Sequence, residues 1–260
     1  YLTGNPQITF FKTVYRRHTN FSMESIIQTF DGNADFGNKV TATIARNGDL
    51  IHRMYLEHDA VFTATKGATT SNVALAEHYG HSLIKECEIE IGGQRIDKHY
   101  AMWNRVWSDL TEYNPSGHFG AAVVPSNGGA PQSGTGTLYQ YMTGNGYSVN
   151  TGASTADNEY GIDNGNTVNG FTATVGGTSS TVEGKMTVNK IFLPLHFWFC
   201  RNPGLSLPLI ALQYHEVKVV MHFEERKNLV RSCADDGQSN PGLHTEFVGT
   251  TTSKNFDLYC

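Results

Sequence analysis

Residues 191–224, IFLPLHFWFCRNPGLSLPLIALQYHEVKVVMHFE, carry most of what the chain says about its fold. Ile191–Phe199 is nearly continuous in apolar residues, as a strand covered on both sides must be. Arg201-Asn202-Pro203-Gly204 then forces a turn. Leu205–Leu212 follows as a short apolar segment, read here as a short helix. Glu216–Glu224 alternates, with Val217, Val219, Met221 and Phe223 on one side and Lys218, His222 and Glu224 on the other. The order of buried strand, turn, short helix and strand describes the corner of a β-sandwich, and it contains no catalytic constellation.

Working outward, the same pattern recurs. Ser25–Phe30 is a first strand. Lys39–Arg46 places Val40, Ala42 and Ile44 on one face, Asn47-Gly48-Asp49 has hairpin-turn chemistry, and Leu50–Phe62 returns as a strand. Lys66–Ser71 is a polar loop and Val73–Ser82 a short helix. Leu83–Ile91 points Cys87, Ile89 and Ile91 inward and Glu86, Glu88 and Glu90 to water, and Gly92-Gly93 turns the chain into Gln94–Lys98. His99–Glu112 has helical spacing, with Met102, Val106 and Leu110 on one stripe and Trp103 and Trp107 beside it. Short strands, frequent turns and few helices predict an all-β sandwich, here an eight-stranded antiparallel jelly roll with short helices and one long loop insertion.

That insertion is residues 113–185. From Val106 to Gly184 there is no Lys or Arg, and Gly, Ser, Thr and Asn dominate. A segment of this length is more than an ordinary loop, and it reads as a decorated surface excursion between two core strands. Its tyrosines, Tyr139, Tyr141, Tyr147 and Tyr160, have the chemistry to stack on sugars or to pack the insertion.

Several function classes are excluded or disfavoured. The chain of 260 residues has a net charge of −5 and 17% charged residues, so it lacks the basic face that direct nucleic-acid wrapping needs. Arg16-Arg17 is an isolated pair. Cys87, Cys200, Cys233 and Cys260 lie far apart with no CxxC, which leaves no zinc-finger spacing and argues against a disulfide framework. No apolar run reaches the roughly 18 residues of a membrane span, and no signal peptide opens the chain. Among eleven histidines there is no His-x-His. His78-x-x-His81 lacks a third ligand, and His52 and His215-Glu216 sit at strand ends. GxSxG, HExxH and P-loop motifs are missing. Gly128-Gly129 and Gly176-Gly177 do not join strand to helix, Asp235-Asp236 sits in polar sequence, and Asn20-Phe21-Ser22 is the one glycosylation sequon. No catalytic residue, metal ligand or cofactor site is assigned.

Two blocks, residues 1–62 and 186–224, resemble the major capsid proteins of the nucleocytoplasmic large DNA viruses, the first through Tyr1–Phe21 (YLTGNPQITFFKTVYRRHTNF) and FGNKVTATIARNGDLIHRMYLE at Phe36–Glu57. Roughly two thirds of the chain carries the likeness, with 77–107 fitting more loosely and 113–185 not at all. The resemblance implies a tandem double jelly roll. Residues 1–21 would then be an N-terminal arm, 22–224 the first jelly roll, 225–252 a linker and 253–260 the start of a truncated second one. The chain opens without Met, and Asn255–Cys260 reads as a strand just begun, as expected of a piece of a longer protein. The resemblance also implies a non-enzymatic late virion protein, assembled in the host cytoplasm. It would form homotrimers, pseudo-hexagonal capsomers that tile an icosahedral shell beside minor capsid proteins, near an inner membrane but not inserted in it. The alternative from another class is a secreted β-sandwich carbohydrate-binding module.

Overall fold

A computed structural model describes residues 20–64, 72–76, 78–112, 138–144, 167–168, 171–174, 185–233, 244–246 and 249–260. In chain order the first half holds β1 (Ile27–Gln28), β2 (Phe30–Asp31), β3 (Lys39–Thr43), β4 (Leu50–Ile51), β5 (Tyr55–Ala64), β6 (Asn72–Leu75), α1 (Tyr79–Leu83), β7 (Ile84–Ile91), β8 (Gln94–Tyr100) and α2 (Ala101–Thr111). Then come α3 (Leu138–Thr143), β9 (Thr167–Val168), β10 (Phe171–Thr174), β11 (Lys185–Pro194), α4 (Trp198–Arg201), β12 (Leu207–Pro208), β13 (Val217–Phe223), α5 (Arg226–Leu229), β14 (Val230–Cys233), β15 (His244–Glu246) and β16 (Gly249–Tyr259).

Two antiparallel sheets dominate. One runs β1-β16-β5-β11-β10-β9 and the other β2-β3-β13-β7-β8. The long strands alternate between them: β3, β7 and β13 lie in the second sheet, β5, β11 and β16 in the first. This interleaving is the jelly-roll arrangement. The expected count of eight does not describe it, since the described strands number six and five in the two sheets.

The core is the slot between the sheets, filled by residues two apart along each strand. On one side Val40, Met221 and Cys87 form a row, followed by Ala42, Val219 and Ile89. On the other, Leu258, Leu56 and Leu193 align, then Phe256, His58 and Ile191. The rings of Phe223 and Phe256 bridge the two layers at 4.4 Å. Val40, Ile44, Ile89, Val217, Val219 and Phe223 are buried as their spacing predicts, and Ile91 is half-buried. Phe197 and Phe199 are fully buried, while Trp198 is partly covered.

Several expectations are corrected. Asn47-Gly48-Asp49 does not close a hairpin: β3 pairs with β2 and β13, and β5 pairs with β11 and β16. The chain crosses from one sheet to the other there, because the apolar faces of β3 and β5 must meet across the slot. Leu205–Leu212 is not a helix. A 3₁₀ turn at Pro203–Leu205, the short strand β12 and further turns replace it, since Pro208 removes a donor that a helix would need. Val73–Ser82 divides into β6 and α1.

The largest correction concerns the end of the chain. Residues 253–260 do not open a second jelly roll, and 225–252 is not simply a linker. β14 pairs with β6 and β15. β16 lies between β1 and β5 in the first sheet and adds Phe256 and Leu258 to the core. The physical reason is the long non-local ladder with β5, which local composition does not reveal. Of residues 113–185, only α3, β9, β10 and a few neighbours are described. β10 extends the first sheet beside β11. The expected outward placement of the rest, like the N-terminal arm at 1–19, lies outside the described residues.

Candidate functional site

The outer face of the second sheet is a ladder of paired charges. Glu86, Glu88 and Glu90 alternate out of the core along β7 as the pattern predicts, but they are not simply solvated. Glu88 is only 6% exposed. It accepts from Lys98 Nζ at 2.8 Å and lies 3.7 Å from Arg95. Lys98 also bonds Glu86 at 2.6 Å, and His222 lies 3.6 Å from the same carboxylate. The hydrogen bond from Lys98 holds the Glu86 carboxyl below its usual range, and the two carboxylates hold Lys98 above its own. Register explains the clustering, because Glu88 is opposite Lys98 and Glu86 opposite His222. Such a face is self-neutralised, suited to side-by-side packing and not to phosphate capture.

The end of the sandwich at α2 is different. The helix turns Asn104 and Ser108 into the protein, and α1 packs against it. The Met102, Val106 and Leu110 stripe is therefore exposed, at 68%, 42% and 78%. Trp103 and Trp107 lie between these two faces and are half-buried, their rings 5.4 Å apart.

Beside Trp107 is a cleft of about 340 Å³, walled by Arg53 and Tyr55 at the start of β5, Leu195 and His196 after β11, and Arg201 in α4, with Glu112 at the end of α2. Arg201 lies 4.1 Å over the Trp107 ring and 5.7 Å from that of Trp103, and its Nε donates to the His196 carbonyl at 3.1 Å. A guanidinium stacked on an aromatic face is attracted by the ring quadrupole and held in orientation. His196 is 8% exposed, and its Nε2 has no hydrogen-bond partner among the described residues. Burial, with His99 and Arg201 nearby, pushes its pKa down to about 4, so the ring is neutral.

Several other described histidines are buried in the packing. His78 and His81 are buried at α1, and burial, then the charges of His78, His196 and Arg105, push His81 down to about 3. The Tyr139 hydroxyl lies 3.4 Å from its Nε2. His52 is half-buried and His215 exposed. His58, not singled out by sequence, is wholly buried between the sheets, with Nδ1 2.8 Å from the Asn255 carbonyl and Nε2 2.9 Å from the Tyr79 hydroxyl. The signal was present, because Leu56, His58, Ala60 and Phe62 share the inward phase of β5. Among the described residues, no group of three or more His, Cys, Asp or Glu converges on a point. Cys87, Cys200 and Cys260 are free thiols, and burial pushes Cys200 up to about 12 and Cys260 up to about 11, which leaves them unreactive. Asn20-Phe21-Ser22 is exposed. Arg16-Arg17, Asp235-Asp236, Gly128-Gly129, Gly176-Gly177, Tyr147 and Tyr160 lie outside the described residues. No helix is long and apolar enough to cross a membrane among those described.

Comparison with known proteins gives this architecture a context. Residues 9–254 match the family described as major capsid protein N-terminus. The chain is 46% identical, over 255 residues, to the major capsid protein of Pyramimonas orientalis virus, covering 98% of this chain and 50% of that protein. It is 40% identical over 219 residues to that of Paramecium bursaria Chlorella virus 1, covering 84% and 36%. The quasi-atomic PBCV-1 virus capsid contains a chain that superposes with a TM-score of 0.53 at 30% identity, covering 96% of this chain and 44% of that one. The chain thus spans half or less of the length of these relatives.

Proposed function

This chain belongs to the major capsid protein family of the nucleocytoplasmic large DNA viruses, and on that premise we propose that it is the first jelly roll of a subunit that trimerises into pseudo-hexagonal capsomers. Members of this family are structural components of the virion. The observation that carries the reading is the 46% identity to a major capsid protein across 98% of the chain. The interleaved sandwich supports it, because a closed core with a self-neutralised outer face is a tile that can pack laterally. In this reading a second jelly roll follows β16, and three copies give six sandwiches around a threefold axis. Capsomers then cover the faces of an icosahedral shell assembled in the host cytoplasm, in contact with minor capsid proteins and without insertion in a membrane. Many weak contacts between capsomers act together in such a closed lattice. The subunit carries out no chemistry, and its net charge of −5 supports a shell that does not grip the genome directly. Native mass measurement on the purified full-length protein tests this: a species of three subunits is expected, and a monomer at micromolar concentration overturns it.

A further inference from the structure

The cleft at the α2 end holds positive charge that its own walls do not consume. Arg53 and Arg201 are exposed, and neither forms an ion pair among the described residues. Arg201 is fixed by its stack on Trp107 and by its single bond to the His196 carbonyl, and no acceptor among the described residues bonds its terminal nitrogens. His196, nine-tenths buried in the same wall, has an unpartnered Nε2. A buried polar atom without a partner is costly and calls for one. The remaining ionised wall group is Glu112, so two guanidiniums and one carboxylate leave a single net positive charge.

Three properties specify what fits. One net charge matches a carboxylate better than a phosphate dianion. A volume of about 340 Å³ is at the small end for ligand sites and suits one or two side chains, not a nucleotide. The Trp107 wall also continues onto Met102, Val106 and Leu110, an exposed apolar strip of the kind that a polypeptide covers. We infer that the cleft receives the carboxylate of an Asp or Glu from a second copy of this chain lying along α2. The chain has such groups to offer: it carries 24 acidic against 19 basic residues, and no Lys or Arg at all from Val106 to Gly184. This rests on the reading that copies of the chain pack together, and it gives one of their contacts a place and a chemistry.

The test has two arms. In the first, N-acetyl-glutamate amide is titrated into the chain while Trp103 and Trp107 fluorescence is followed, with inorganic phosphate in a parallel titration. A saturable change in the millimolar range is expected. Arg53→Ala, a change at an exposed side chain that leaves the core intact, should weaken it at least tenfold. Glu112→Gln should tighten it about threefold, an effect that a merely structural role does not produce. No saturable change, no effect of Arg53→Ala, or tighter binding of phosphate would overturn the carboxylate assignment. In the second arm, self-association of the full-length protein is compared with that of Arg53→Ala/Arg201→Ala. A loss of association of at least tenfold is expected. Unchanged association beside a positive titration means that the acid comes from elsewhere, and the second-copy assignment fails. A wild-type protein that does not self-associate refutes the capsomer reading instead, and the titration still judges the cleft.

Discussion

Arg46 shows how one exposed side chain can organise a loop that sequence patterning leaves undefined. Its guanidinium donates to the carbonyls of Gln213, Leu212 and His215 at 2.5, 2.9 and 3.1 Å. These carbonyls belong to the turns that lead into β13, and that of Leu212 also accepts from the His215 backbone N–H at 2.9 Å. Arg46→Ala should cost about 1–2 kcal/mol, the range for charge-assisted bonds at a wet site, read as a lower urea midpoint at unchanged slope. His58 makes the opposite case, a polar group buried in the core. Burial lowers its pKa from 6.5 to about 4, with the Asn255 carbonyl opposing the shift. Between these values the unfolded chain takes up a proton that the folded chain refuses. The stability that goes with a neutral His58 is therefore complete above pH 6.5 and is lost as pH falls through about 4. About 2 kcal/mol should disappear between pH 7.5 and 5 from this residue, with His81 and His196 adding loss in the same direction. Urea titrations at the two pH values measure it, and His58→Gln should shrink the difference. A stability independent of pH across that interval would contradict the buried, neutral assignment.

At the scale of elements, what was legible in sequence is what has a short period. Alternation identified β3, β7 and β13 and their inward residues, because a strand between a core and an outer face must alternate. Gly92-Gly93 was legible for a related reason: both glycines have positive φ, 60° and 79°, in the turn joining β7 to β8. What failed was partnership. Asn47-Gly48-Asp49 has hairpin chemistry, but tertiary packing sends its flanking strands to different sheets. An apolar stripe on a helix ordinarily faces the core, yet on α2 Asn104 and Ser108 take that role, which no hydrophobicity pattern announces. Nor could the end cleft be read in advance, since its walls come from four separated segments. β16 was misassigned because its first half, Gly249–Lys254, is polar and its partner β5 is nearly 200 residues earlier. Its position between β1 and β5 yields a prediction. A chain ending at Val248 should lose cooperative unfolding and its near-ultraviolet dichroism, because removal strips Phe256 and Leu258 from the core and bares two strand edges. If that shortened chain melts as sharply as the full one, β16 is an appendage and the domain ends earlier.

Across the whole molecule charge is sparse, at 17% of residues. Much of the outer charge is spent in internal pairs such as Lys98 with Glu86 and Glu88, and Lys190 with Glu57 at 2.5 Å. In the proposed capsomer, lateral surfaces of that kind would bind weakly one at a time, with repetition in a lattice supplying the strength. The apolar strip on α2 and the cationic cleft beside it lie together at one end of the sandwich, where the inferred contact with a second copy would form. The family was legible from the block 186–224 and the opening residues, whereas the assembly itself is a property of surfaces that no single chain displays. The measurement that bears most directly on the account is electron microscopy of the purified full-length protein. Class averages should show a threefold particle with six lobes in a nearly hexagonal outline. Isolated two-lobed particles, or rings of any other symmetry, would contradict it.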